Sequence, residues 1–339
     1  MGPLLLRDDD AGGDIDRVRD RLFSTYDLRV TTVPAQPVTL GGSLRLIAAD
    51  IKLAHSVFAL PFVVLAAFIA QVASGLSWES FAGKMVLILV CMVTARTWAM
   101  LVNRLADRDI DAENARTKRR VFASGRLASG RGWGVAFACA ALFIAAASGF
   151  WFAFENWWPV ALSVPVLGWI ALYSYTKRFT ALCHVFLGTS LAIAPLAAAL
   201  AVWPEALQTV RTLWWIAGFV VAWVAGFDVI YALQDEGFDK GKGLRSIPAA
   251  LGSAGARTVS MLLHVAAAAA LVMVWRSHEA FGPILAVGVA AVLVLLVTEH
   301  VIVYRGAQRG LAGLNMAFFT LNGVVSCVLG VLGVIDLFA

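Results

Sequence analysis

The sequence predicts an all-α integral membrane protein: a bundle of nine transmembrane helices, built from a duplicated four-helix unit, with a central cavity opening at the cytoplasmic face. Three observations predict it. Of 339 residues, 60% are hydrophobic and only 14% charged, too apolar a balance for an ordinary soluble domain. The apolar residues fall in long solid runs rather than the short alternating segments of a membrane β-barrel. Two acidic clusters close two of these runs, and one offset of 128 residues carries Asp107 onto Asp235, Asp111 onto Asp239 and Asn103 onto Tyr231.

Residues 1–45 read as a polar tail preceding a membrane domain over 46–339. The tail holds Asp8-Asp9-Asp10 and a Gly12-Gly13 break, with a short surface helix expected around 14–29 because Ile15, Val18, Leu22 and Phe23 recur at helical spacing. No basic region runs directly into an apolar core, so no cleaved signal peptide is expected. A spanning helix needs ~20 mostly apolar residues. Nine segments qualify, near 53–74, 84–103, 133–152, 157–175, 181–203, 212–234, 257–276, 281–303 and 315–337. An offset covering four spans leaves both acidic clusters on one side of the membrane, as duplication of a four-helix unit requires.

Net charge is +5, a balance shared with nucleic-acid binders, but its distribution points to a bilayer. With the N-terminus inside, the inner loops hold sixteen Lys and Arg, eight of them between Arg104 and Arg131. The outer side holds Lys84, Arg211 and Arg276. That is the positive-inside bias, and it places both aspartate clusters at the cytoplasmic face of a bacterial-type inner membrane. Four cysteines sit singly in apolar spans without metal-ligand spacing and read as reduced, buried thiols.

Asn103, Asp107 and Asp111 are spaced to share one helical face, as are Asp235 and Asp239. Four carboxylates at one membrane face repel unless a cation sits among them. Their oxygens suit Mg²⁺, which commonly takes one or two carboxylates together with substrate phosphate oxygens. Lys and Arg in the same loops can neutralise that phosphate. A substrate matching both the charged mouth and the apolar bundle is a polyprenyl diphosphate. Ionisation of its allylic C–O bond leaves a cation sheltered from water among apolar and aromatic side chains, where an electron-rich aromatic acceptor attacks. Arg96 lies in a span two turns deeper on the face of Asn103; a buried arginine is costly unless it faces a wet cavity or a partner. His264, Glu299 and His300 suit core or solvated roles better than ligation.

These residues also carry a resemblance. Asn103-Arg-Leu-Ala-Asp107-Arg-Asp-Ile-Asp111 resembles the first signature of the UbiA-type intramembrane aromatic prenyltransferases, and Asp228-x-x-Tyr231-x-x-x-Asp235-x-x-x-Asp239 their second. Tyr173-Ser-Tyr175-Thr-Lys177-Arg178, Gly243-Leu-Arg245-Ser-Ile-Pro248 and His55-Ser-Val-Phe-Ala-Leu-Pro61 look like their other motifs, so the likeness covers about 45–337. It implies that Asp107, Asp111, Asp235 and Asp239 hold Mg²⁺ with Asn103 assisting. Lys177, Arg178 and Arg245 then bind diphosphate, Arg116 and Asp228 belong to the substrate-binding set, and Tyr231 lines the reacting centre. Arg104 stands where many members have Asp, removing one possible metal ligand. With Arg96 and Asp228, this pattern is most like the branch acting on 4-hydroxybenzoate or on 1,4-dihydroxy-6-naphthoate, in ubiquinone or menaquinone biosynthesis. Arg96 is then the partner of the acceptor carboxylate.

Competing readings share some of these features. The same metal chemistry serves transfer onto homogentisate, a chlorin, haem or a glycerol phosphate. A transporter also suits duplicated helices with acidic residues, yet its site belongs near the midplane with broken helices, whereas these carboxylates close the ends of the spans.

Overall fold

Unbroken runs of Ala, Leu, Val and Phe satisfy their own backbone hydrogen bonds in helices, the one open-ended structure a hydrocarbon environment tolerates. A computed structural model describes residues 39–51, 58–306 and 320–339. The described chain is all helix and turn: α1 (Leu40–Ile51), α2 (Leu60–Ser74), α3 (Phe81–Ala106), α4 (Arg108–Glu113), α5 (Ser129–Phe154), α6 (Trp158–Thr176), α7 (Cys183–Val202), α8 (Arg211–Ala232), α9 (Glu236–Lys242), α10 (Ile247–Arg276), α11 (Pro283–Gly306) and α12 (Asn322–Leu337). Gly41–Ala339 forms one compact unit.

Nine spans were expected; among the described residues seven helices are long and apolar enough to cross a membrane. α2 and α12 are apolar but shorter, with 15 and 16 residues. The expected surface helix at 14–29, and His55 of the first-span motif, lie outside the described residues.

α1 runs across the boundary expected at residue 45. Ser43, Ile47 and Ile51 recur every fourth residue and are buried, so the segment has an apolar face despite its polar composition. Ile47 and Ile51 share a core with Leu101 and Leu105 of α3 and with Val121, Phe122 and Leu127. The last three belong to the connection between α4 and α5, which is docked rather than loose.

α8 is the central helix, packed mainly against α7 and α10. Phe219 and Trp223 stack on its buried face at 5.6 Å, and Phe62 of α2 meets the Trp223 ring at 5.7 Å. Small residues permit the close approaches. A Cβ on Gly188 of α7 would stand 2.5 Å from the Val221 carbonyl oxygen, and one on Gly330 of α12 would stand 2.3 Å from Pro61 Cβ. Gly188→Ala therefore pushes the α7 and α8 backbones apart, at a cost of ~1–3 kcal/mol. Thermal unfolding in detergent is expected to show a lowered Tm, while Gly218→Ala, with open space around its added methyl, leaves Tm unchanged.

Several buried polar groups inside the bundle pair with one another. Trp223 Nε1–H donates to Asn322 Oδ1 at 2.7 Å, and Asn322 Nδ2 donates to the buried Glu299 at 3.3 Å. The rings of His264 and His300 meet at 2.9 Å. These are core contacts, as an apolar environment demands.

The bundle has two unlike ends. One carries six exposed tryptophans, Trp78, Trp151, Trp157, Trp158, Trp214 and Trp215, the belt expected at a membrane–water boundary. Lys84, expected as an outer-side charge, is buried there and donates from Nζ to the Val202 carbonyl at 2.9 Å, capping the C-terminus of α7. The other end carries the charged connections.

Candidate active site

Asp107 and Asp235 each end a long helix and start a short one. Asp107 (φ −94°, ψ 6°) separates α3 from α4. Asp235 (φ −105°, ψ 4°) closes a 3-10 turn after α8 and begins α9. Both sit in the sparsely populated bridge region common at active sites. In each short helix the second aspartate follows four residues later. The expectation of one continuous helical face is corrected here: each Asp pair straddles a break, although the Asp111 N–H still reaches the Asp107 carbonyl at 2.7 Å. The same break recurs at positions 128 apart.

The two breaks lie together. Arg116, from the α4–α5 connection, pairs bidentately with Asp235 and donates to the Tyr231 hydroxyl at 3.2 Å. Its guanidinium also lies over the Tyr231 ring, 5.4 Å from the centroid. Asn114 Nδ2 donates to Asp235 at 3.0 Å, and Glu113 of α4 pairs with Lys242 of α9. Burial opposes the charge on Arg116, but its hydrogen bonds to Asp235 and that carboxylate's charge outweigh it and hold its pKa above the ordinary arginine value.

On the other side, Lys177 Nζ stands 2.8 Å and Arg178 3.1 Å from the Asp107 carboxylate, which is 4% exposed. Arg178 also donates to the Ala106 carbonyl at 2.7 Å. Lys177 and Asp235 both fall within electrostatic reach of Asp239, so Lys177 stands between the two clusters. Asn103 Nδ2 lies 3.4 Å from Asp107, and Arg120 holds both oxygens of Asp111 at 2.7–2.8 Å.

The glycine-flanked basic turn joins α9 to α10. Gly243 (φ 66°) closes α9, and Ser246 caps α10 while donating to Asp239 Oδ2 at 2.8 Å. Arg245 is exposed, and its side chain donates to the Phe179 carbonyl at 2.9 Å. Its backbone N–H reaches the Lys177 carbonyl at 2.6 Å, which ties the two basic loops together.

Sequence reasoning foresaw a metal among the four aspartates. Among the described residues no three carboxylate, imidazole or thiol side chains gather closely enough to hold one. Like-charge repulsion is relieved instead by the chain's own Arg116, Lys177, Arg178 and Arg120. The donor set still fits a hard divalent ion, since carboxylate oxygens predominate and every cation on them could move to a phosphate.

Beside this charged end lies a cavity of about 440 Å³, lined by α2, α3, α5, α6, α7 and Leu207. It reaches from Tyr173 to Pro159 along α6, roughly 20 Å at ~1.5 Å rise per residue. A central cavity opening at the cytoplasmic face was expected; this cavity takes no lining residue from α8 or α10–α12. Arg96 lines the cavity, and among the described residues no carboxylate pairs with it. Tyr173 lines it too and lies within electrostatic reach of Arg96, Arg104, Asp107 and Asp228, joining cavity to charged end.

Sequence reasoning missed three partners. Asp50 of α1 sits 3.3 Å from Arg104 and accepts the Val121 N–H at 2.9 Å. His184 meets Asp228 at 2.7 Å. Asn114 follows α4 and reaches Asp235. None of the three falls in a spaced motif.

The family model described as the UbiA prenyltransferase family matches residues 59–323. The chain belongs to this family. It is accordingly a membrane prenyltransferase, as its apolar helices also require. Over 248 residues it is 30% identical to the 4-hydroxybenzoate octaprenyltransferase of Marinobacter nauticus, covering 72% of this chain and 78% of that one. It is 31% identical to the Azotobacter vinelandii enzyme of the same name, over 50% of this chain and 56% of that one. It is 34% identical to the 4-hydroxybenzoate solanesyltransferase of Synechocystis, over 43% and 47%. The chain thus spans from about half to about three quarters of the length of these curated relatives. Among solved structures, an apo UbiA homolog from Aeropyrum pernix superposes with a TM-score of 0.72 at 29% identity, over 84% of this chain and 98% of that one. A UbiA homolog from Archaeoglobus fulgidus, solved with GPP and Mg²⁺, shares the fold at 0.60 and 18% identity, over 87% and 100%.

Proposed function

We propose that this UbiA-family enzyme transfers a polyprenyl group from polyprenyl diphosphate to a carboxylated hydroxyaromatic acceptor of the 4-hydroxybenzoate or 1,4-dihydroxy-6-naphthoate type, in ubiquinone or menaquinone biosynthesis. The observation that carries it is the pair of matched aspartate breaks, stitched together by Arg116 and Lys177 beside an apolar cavity that holds an unpaired arginine. The names of its relatives, and the GPP and Mg²⁺ of the Archaeoglobus fulgidus protein, support the same reading.

Asp107, Asp111, Asp235 and Asp239 would hold Mg²⁺, with Asn103 assisting. When bound, the metal supplies charge stabilisation for the departing diphosphate. Lys177, Arg178 and Arg116, now resting on aspartates, turn to phosphate oxygens; Arg245 borders the same loops. The tail lies in the cavity, whose walls exclude water from the allylic cation. Tyr231 borders the reacting centre with its ring face, and Tyr173 marks the junction of head and tail. Arg96 takes the acceptor carboxylate, and Asp228 contacts the acceptor from α8. The basic connections at the charged end support an orientation toward the cytoplasm of an inner membrane.

Purified protein offered geranyl, farnesyl and longer prenyl diphosphates with 4-hydroxybenzoate or dihydroxynaphthoate is expected to yield C-prenylated acids by mass spectrometry, only with Mg²⁺ present. Products formed instead from homogentisate or a glycerol phosphate would move the chain to another branch of the family.

A further inference from the structure

His184 is 3% exposed in the first turn of α7, and its Nδ1 stands 2.7 Å from Asp228 Oδ2. Its Nε2 accepts the backbone N–H of Ile247, the first residue of α10, at 3.3 Å. A ring nitrogen that accepts an N–H carries no proton, so the proton resides on Nδ1 and is donated to Asp228. One imidazole thus ties α7, α8 and α10 together at the charged end. Gly188, one turn on, allows α7 to approach α8 closely enough for this contact. The Asp228 side chain is 23% exposed, and its Oδ1 has no protein partner among the described residues. Asp228 also lies within electrostatic reach of Tyr173, at the cavity wall shared with Arg96.

We propose that His184 is a positioning residue for the acceptor. It occupies one oxygen of Asp228 and fixes its rotamer, so that the other oxygen is presented to the hydroxyl of the aromatic acid. This rests on the acceptor class proposed above and adds to it a residue that touches neither metal nor diphosphate. The arrangement follows the general pattern of a functional carboxylate held by a buried hydrogen-bonding neighbour.

In full-length purified protein, His184→Ala is expected to lower kcat/KM for the acceptor by about tenfold or more. The KM for prenyl diphosphate stays within about twofold, because the diphosphate cations lie elsewhere. His184→Asn places an amide N–H near the position of Nδ1 and restores most of the loss. In an Asp228→Asn background, His184→Ala costs less than about a further twofold, since the two act as one unit. Equal damage to both substrates, no rescue by Asn, or independent effects in the double variant would overturn the proposal. A second measurement needs no acceptor: the ¹⁵N-histidine spectrum in detergent, assigned by the resonance lost in His184→Asn, is expected to show the Nδ1–H tautomer. An Nε2–H tautomer overturns the proposal. If no hydroxyaromatic acid is prenylated, the acceptor class fails, and the histidine pair is decided by the spectrum alone.

Discussion

Asp107→Asn and Asp235→Asn are each expected to lower Mg²⁺-dependent prenyl transfer by about a hundredfold or more, the scale of removing a key electrostatic group from a preorganised site. The substitutions are nearly isosteric, so the loss reports charge rather than shape. Asp107 is 4% exposed and faces Lys177 and Arg178; a neutral amide leaves both cations without a counter-charge and offers a divalent ion a weaker oxygen. At Asp235 the bidentate partner is Arg116. Because the two positions sit at matched backbone breaks, their effects should be alike in size. Both variants should also require more Mg²⁺ for half-maximal rate. Turnover and Mg²⁺ dependence like those of wild type in either variant would remove the basis of the proposed site.

Arg96→Leu is expected to raise the acceptor KM by about ten- to a hundredfold, the equivalent of ~1.5–3 kcal/mol for a hydrogen bond to a charged group. The KM for prenyl diphosphate should stay within about twofold, since Arg96 lines the cavity wall and not the cation-bearing loops. Arg96→Lys keeps the charge but loses the planar fork and should recover only part. The sharper readout is discrimination: wild-type enzyme should prefer 4-hydroxybenzoate to its uncharged amide, and Arg96→Leu should treat the two nearly alike. A preference that survives in the variant places the acceptor carboxylate elsewhere.

The spans and the aspartate clusters were legible because each rests on a local rule. Long apolar runs can satisfy their backbones only as helices, and four-residue spacing marks neighbouring turns. The 128-residue offset anticipated the matched breaks, although the chain bends at Asp107 and Asp235 where a straight helix was expected. Composition misplaced the start of regular structure, because a polar segment around Arg45 still buries Ser43, Ile47 and Ile51. It did not foresee that Lys84 is buried at its end of the bundle, with its ammonium turned inward to the Val202 carbonyl.

By itself the sequence determined an integral membrane helical protein with two equivalent acidic helix ends, and its motifs resembled one family of prenyltransferases. Tertiary structure alone decided which charges meet: Arg116 with Asp235, Lys177 with Asp107, Asp50 with Arg104, His184 with Asp228. It also decided which helices line the cavity, α2, α3 and α5–α7. The physical reason is range. Hydrophobic periodicity and helix spacing act over one or two turns and are written along the chain, whereas an ion pair or a cavity depends on how whole helices pack, which no local pattern encodes.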